Sequence, residues 1–130
     1  MTKGARCSLT RAIALHARHR YPHGGPPEDH GHLYRIEVTV RATLAATQPV
    51  DVDLARLDAI LAQHVAHRLG GSDLNAAIPE FASGAQLPTC EAFAAWCWRT
   101  IADRLPPDIE LERVRVAEDA TLWADCTGVV

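Results

Sequence analysis

Apolar and polar residues alternate with a period of two near both ends of the chain and recur at helical spacing in between. From Cys7 to His19 the odd positions read Cys7, Leu9, Arg11, Ile13, Leu15, Ala17 and His19. Nearly all are apolar, which predicts a first strand with one buried face that ends in a histidine. A turn-rich segment from Tyr21 to Asp29, with Pro22, Gly24, Gly25, Pro26 and Pro27, interrupts it. Beyond it, His32, Tyr34, Ile36, Val38 and Val40 alternate with Leu33, Arg35, Glu37, Thr39 and Arg41, a second half-buried strand whose inward parity His30 shares.

Gln48 to Asp53 closes that strand. Asp51 or Asp53 can cap a helix whose apolar residues Leu54, Leu57, Ile60, Leu61 and Val65 follow the i, i+3, i+4 rule. Gly70-Gly71 stops it. A polar loop with Asn75, Pro79 and Pro88 leads to Thr89, where a second helix opens and runs through Phe93, Trp96, Cys97, Ile101 and Leu105 to Pro106-Pro107. Alternation returns at Leu111, Val114 and Val116, then at Leu122 and Ala124, predicting two more strands. The order β-β-α-α-β-β places paired strands next to each other in sequence. It predicts an α+β domain over residues 1–130, with a four-stranded antiparallel sheet and both helices on one face. The other face would need covering, which points to assembly.

Composition narrows the function. The apolar fraction is 48%, but 22 of the 130 residues are Ala, so strong core formers are fewer than that figure suggests. A core of this size folds alone yet cannot enclose a deep cavity without a second subunit. Apolar runs such as Phe93 to Trp98 are far below membrane-crossing length, so no membrane span is expected. A net charge of −3 argues against nucleic-acid binding. The cysteines at 7, 90, 97 and 126 show no CxxC pairing and read as reduced thiols, and cytoplasmic residence is the expectation.

Histidine is the outlier: five of the seven lie between His16 and His32. His30 and His32 are two apart on one strand, so both rings project from one face, and His19 ends the neighbouring strand on its inward parity. Two ligands from one strand and a third from its partner form a tripod with an open position, the arrangement of a catalytic zinc. Nearby thiolates are missing, which favours Zn²⁺ on imidazoles over an iron–sulfur cluster. HxH alone is equally compatible with a solvated histidine-bearing loop.

The run Ala17-Arg18-His19-Arg20-Tyr21-Pro22-His23, followed by His30-Gly31-His32-Leu33-Tyr34, resembles the zinc-binding signature of the 6-pyruvoyltetrahydropterin synthase and 6-carboxytetrahydropterin synthase family. Further matches follow in the family's order: Val52-Asp53-Leu54 with Leu57, Leu74-Asn75, Pro88-Thr89-Cys90-Glu91 with Trp96 and Trp98, and Glu118. The resemblance runs from about Leu15 to Trp123. It implies the tunnelling fold (T-fold), zinc held by His19, His30 and His32, and a small-molecule substrate whose pterin-type ring is anchored by Glu118. Adjacent N–H and NH₂ groups on such a ring suit a carboxylate's two oxygens. The resemblance also places Thr89, Cys90 and Glu91 along the ring pocket, although Glu91 is equally a first-turn residue favourable to the helix dipole. It further implies a homo-oligomer, commonly a hexamer, with sites at subunit boundaries.

Two departures stand out. The family's working members carry a cysteine a few residues before HGH and an Asp-His pair just before Leu-Asn. This chain has Gly24-Gly25-Pro26-Pro27-Glu28-Asp29 in the first place and Gly70-Gly71 in the second. Glu28 is the candidate replacement base, or else a group that orients a ligand imidazole. His67 or Asp73 could replace the lost pair in space, although such residues are more often helix-end charges and loop caps. The expected function is a zinc-dependent lyase or cyclase with altered chemistry, with a non-catalytic zinc-containing pterin binder as the alternative.

Overall fold

The computed structural model describes residues 3–21, 30–45 and 52–130. Glu28 and His23 lie outside them. Strands β1 (Ala5–His19) and β2 (His30–Leu44) pair antiparallel over their full length, from Ala5 opposite Leu44 to His19 opposite His30. Next to β2 lies β4 (Glu110–Ala117), and β5 (Trp123–Cys126) pairs with β4 in turn. A two-residue strand, β3 (Ser72–Asp73), runs parallel to β1, giving the order β3-β1-β2-β4-β5.

The sheet therefore has five strands where the pattern predicted four, and its outermost pairing is parallel. The cause is the Gly70-Gly71 turn. Gly71 adopts a φ of 76° and donates its N–H to the His16 carbonyl at 2.6 Å, which lays the next two residues along the edge of β1. A two-residue strand carries no periodicity to read.

The first helix is composite: α1 (Leu54–Leu61), a π-helical segment (Ala62–Ala66) and α2 (His67–Leu69). Asp53 caps its start by accepting from the Arg56 N–H. Leu57, Leu61, Val65 and Leu69 are all buried and are spaced four apart. On a regular helix of 3.6 residues per turn such a series drifts around the axis, and the wider i→i+5 turn brings it back to one face. Leu74 to Ala82, expected as a polar loop, forms α3 (Leu74–Ala77) and α4 (Pro79–Ala82). Asp73 caps the first, Pro79 starts the second, and Leu74, Ile78 and Phe81 go into the core.

Helix α5 (Cys90–Ala102) begins where Thr89 accepts from the Ala92 N–H, and it ends three residues before Leu105. It presses Phe93, Trp96, Cys97 and Ile101 toward the inner face of the sheet. That face carries Leu15, Ala17, Tyr34, Ile36, Val38, Val40, Leu111, Val114 and Val116. Arg11, the one charged residue in β1's apolar series, reaches α1 and makes two 2.7 Å hydrogen bonds to the Asp58 carboxylate. The outer face bears polar pairs: Arg115 with Asp125, Arg41 with Glu110, and Thr10 with Thr39.

Phe93 is fully buried and its ring meets Tyr34 edge-on at 5.2 Å. Phe93→Ala is expected to cost about 3–5 kcal/mol, measured as a fall in the urea-unfolding free energy. A loss below about 1 kcal/mol would contradict the packing described.

Candidate metal centre

The pairing register builds the centre. His19 lies opposite His30, and Ala17 lies opposite His32, so all three imidazoles emerge on the inner face at one end of the sheet. The Nε2 atom of His19 is 3.0 Å from that of His30 and 3.0 Å from that of His32. The rings meet edge to face, with centroids 4.5, 4.9 and 5.0 Å apart.

His19 is completely buried and donates from Nδ1 to the Pro88 carbonyl at 2.8 Å. That bond leaves the Nε2 lone pair facing its two neighbours. Burial lowers the His19 pKa from its ordinary value, and the nearby His30 and His32 push the same way. The Pro88 hydrogen bond and the Glu118 charge act in the opposite sense. A neutral imidazole is the form that binds metal.

Three ring nitrogens this close, with one ring's tautomer fixed by its other nitrogen, suit a shared cation. Tetrahedral zinc at a Zn–N distance of about 2.0–2.1 Å sets its nitrogens about 3.3 Å apart, close to the spacing here. Among the described residues these three histidines form the convergent group able to hold a metal ion.

Around them stand groups from the turn after β4 and from the start of α5. Glu118 follows β4, in a turn closed by its N–H to the Leu122 carbonyl at 3.1 Å. Asp119 tightens the same turn through Thr121 and Leu122, and the Thr121 hydroxyl is the main cause of its lowered carboxyl pKa. The Glu118 carboxylate lies 3.2 Å from His32 Nε2 through Oε2, and its Oε1 accepts from Cys90 Sγ at 3.3 Å. Cys90 is buried as the first residue of α5. Glu118 therefore meets a histidine of its own chain.

Tyr21 and Tyr34 complete the walls, and the sequence pattern did not single them out. The Tyr21 ring is 4.9 Å from His19 and 6.3 Å from His30. Burial first, then the charges of Glu118, Cys90 and Glu91, push its phenol up to about 12. The Tyr34 hydroxyl lies 3.3 Å from His19 Nδ1, and burial with the Glu118 charge raises its pKa well above the ordinary range. Strand parity was the available signal: each tyrosine is two residues beyond a histidine of the triad.

The remaining sequence-predicted residues are placed less centrally. Thr89 is engaged as the α5 cap, while Glu91 is exposed in its first turn. Glu91 lines a groove of about 400 Å³ with Gln86, Leu87 and Thr89. His67 is exposed on α2. Asp73 accepts from the Asn75 N–H to cap α3 and lies 3.9 Å from the Arg20 guanidinium. Neither meets the triad among the described contacts of this chain. A cavity of about 460 Å³ lies at this end of the sheet and shares His32 with the centre; His16, Arg18, Gly31, Leu33 and Gly71 also line it.

Residues 8–129 match the family model described as 6-pyruvoyl tetrahydropterin synthase. A curated relative, 6-pyruvoyl tetrahydrobiopterin synthase of Poecilia reticulata, is 29% identical over 92 residues. The match covers 71% of this chain and 60% of the relative, so the chain spans about three fifths of that protein's length. The solved structure of Caenorhabditis elegans 6-pyruvoyl tetrahydropterin synthase superposes with a TM-score of 0.83 at 19% identity, covering 99% of this chain and 100% of that one. An uncharacterized protein of Wolinella succinogenes superposes with a TM-score of 0.70 at 13% identity, covering 96% and 99% of the two chains. These two structural matches establish a shared fold.

If the triad holds a metal, His30→Ala must empty the site. Elemental analysis of the purified protein is expected to find about one zinc per chain in the wild type and less than a tenth of that in His30→Ala. Equal metal in both proteins would remove the histidines as ligands.

Proposed function

Because the chain belongs to the 6-pyruvoyl tetrahydropterin synthase family, whose activity is of the pterin synthase type, we propose that it is a zinc-dependent lyase or cyclase. Its substrate would be a small pterin-like or related heterocyclic carbonyl compound. The observation that carries this reading is the convergence of His19, His30 and His32 beside Glu118. Zinc held by the three imidazoles would supply Lewis acidity to a substrate oxygen.

The chain's own residues supply orientation and exclusion of water. Glu118 would accept adjacent N–H donors of the ring, exchanging its contacts with His32 and Cys90 for them. Tyr21 and Tyr34 screen the imidazoles, and the Pro88 carbonyl keeps His19 in the tautomer that a metal requires.

The chemistry would differ from that of the family's working members. Glycines at 70 and 71 and a cysteine-free segment before His30 leave proton transfer to other groups. Glu28 is the proposed base. His67 and Asp73 would take part only through a neighbouring copy, since in this chain His67 is exposed and Asp73 caps a helix.

That same loss supports a second reading, a zinc-containing pterin binder without turnover. In either case the protein would assemble as a homo-oligomer, with a hexamer as the family expectation. The exposed Leu33, Leu122 and Trp123 support this. Among the described residues no helix is long and apolar enough to cross a membrane, and cytoplasmic residence is part of the proposal.

Turnover of a panel of dihydropterin and α-hydroxy carbonyl compounds separates the two readings. Product that falls at least ~100-fold in Glu28→Gln, with zinc content unchanged, supports catalysis with Glu28 as base. Full activity in that variant excludes Glu28. Ligand binding with no product from any compound favours the binder. Light scattering tests the assembly, and a monomer at micromolar concentration would overturn it.

A further inference from the structure

We infer that Asn75 is a positioning residue of the metal centre: its side-chain amide holds both backbone polar groups of Arg20, and through them aims His19 and Tyr21, the residues on either side. The inference rests on the reading of His19, His30 and His32 as metal ligands and adds to it the group that fixes the end of β1.

The strand ladder stops where the centre begins. The last pair of β1 with β2 is His19 opposite His30, and the last pair of β1 with β3 is Arg18 opposite Asp73. Among the described residues Arg20 therefore has no strand neighbour to satisfy its N–H and C=O. Asn75 takes that place: its Oδ1 accepts from the Arg20 N–H at 2.9 Å, and its Nδ2 donates to the Arg20 carbonyl at 3.1 Å. A primary amide presents an acceptor and a donor side by side, so it pairs with one residue of the chain as a neighbouring strand would.

Those two bonds act on two peptide planes. The N–H of Arg20 belongs to the plane shared with His19, and its C=O to the plane shared with Tyr21. In extended backbone the residues before and after a given position lie on one face together. Fixing both planes therefore fixes the directions in which the His19 and Tyr21 rings leave the chain, and the centroids of those rings stand 4.9 Å apart. His19 is held from two sides: its ring by the Pro88 carbonyl at 2.8 Å, just before α5, and its backbone by Asn75 in α3.

The amide is itself anchored. Leu74 is fully buried, Asp73 accepts from the Asn75 N–H at 3.0 Å, and β3 pins the preceding residues to β1. The Leu74-Asn75 pair of the sequence thus puts one side chain into the core and the next onto the end of β1. The Arg20 side chain is no part of the clamp: its guanidinium is exposed and lies 3.9 Å from the Asp73 carboxylate, and such a pair contributes little. Aspartate at position 75 could only accept, and alanine could do neither.

The test uses whole, zinc-loaded protein labelled with ¹⁵N. Zinc affinity is read by competition with a chromophoric chelator, hydrogen exchange of the Arg20 amide by NMR, and overall stability by urea unfolding. Asn75→Ala is expected to weaken zinc binding at least ~10-fold and to speed exchange of the Arg20 amide at least ~5-fold. Asn75→Asp keeps the bond to the N–H and loses the one to the carbonyl, so its zinc affinity should fall between those of the wild type and Asn75→Ala. Arg20→Ala, which leaves both backbone bonds in place, should stay within about twofold of the wild type.

A merely structural asparagine would lower the urea midpoint and leave the zinc affinity of the folded chain unchanged. That result in Asn75→Ala overturns the proposal, as does unchanged exchange of the Arg20 amide. A loss in Arg20→Ala as large as that in Asn75→Ala also overturns it, because the guanidinium–carboxylate pair would then be the operative contact. Should Asn75→Ala fail to fold, Asn75→Asp decides, and wild-type zinc affinity in that variant overturns the two-bond clamp. Wild-type protein that takes up no zinc fails the reading of the triad, and the Arg20 exchange then judges the clamp by itself.

Discussion

The rest of the structure depends on the register of β1 against β2. Fifteen consecutive residues of each strand pair without a bulge, so the last residue of one and the first of the other are both histidine and both face inward. A one-residue slip would turn His30 and His32 outward and carry Tyr34, Ile36, Val38 and Val40 with them. The apolar residues of the alternation therefore hold the histidines in place. Burial of four large side chains sets the register, and the imidazoles inherit it.

The second half of the site comes from the helical layer and the far strands. Phe93 in α5 packs on Tyr34, Tyr34 reaches His19, and the Pro88 carbonyl just before α5 accepts a hydrogen bond from His19 Nδ1. The start of α5 thus both supports the histidines and brings Cys90 against Glu118. Groups that contact the centre and packing residues share one element here, so the geometry of the centre and the stability of the core are linked. The open side has less support: among the described residues β1 carries only the two-residue β3 at its edge, with glycines at the turn that leads into it.

Much of this was legible in the chain. Period-two runs located β1, β2, β4 and β5, and the Asp53 and Thr89 caps located the two main helices, because amphipathic burial and capping are local and repeat along the sequence. The elements missed were too short to show a period: β3, α3 and α4 span two to four residues each. The π-helical segment was also missed. Apolar residues spaced by four are compatible with a regular helix until the drift is resolved against a sheet. In the site, His19, His30 and His32 were legible because HxH plus strand parity places rings on one face. Tyr21 and Tyr34 carried the same parity signal, but aromatic residues at inward positions read first as core.

By itself the sequence determined which residues face inward, the family to which the chain belongs and the three imidazoles that can hold a metal. Each follows from local periodicity or from ordered motifs. Only the tertiary structure decided that Cys90 donates to Glu118, that Glu118 meets His32 of its own chain, and that Asp73 serves as a helix cap. Those contacts join residues 28 and 86 positions apart, or depend on how the chain leaves the Gly70-Gly71 turn. No periodicity in a linear pattern encodes such distances; they are set by the packing of α5 on the sheet and by the turn that returns β4 into β5.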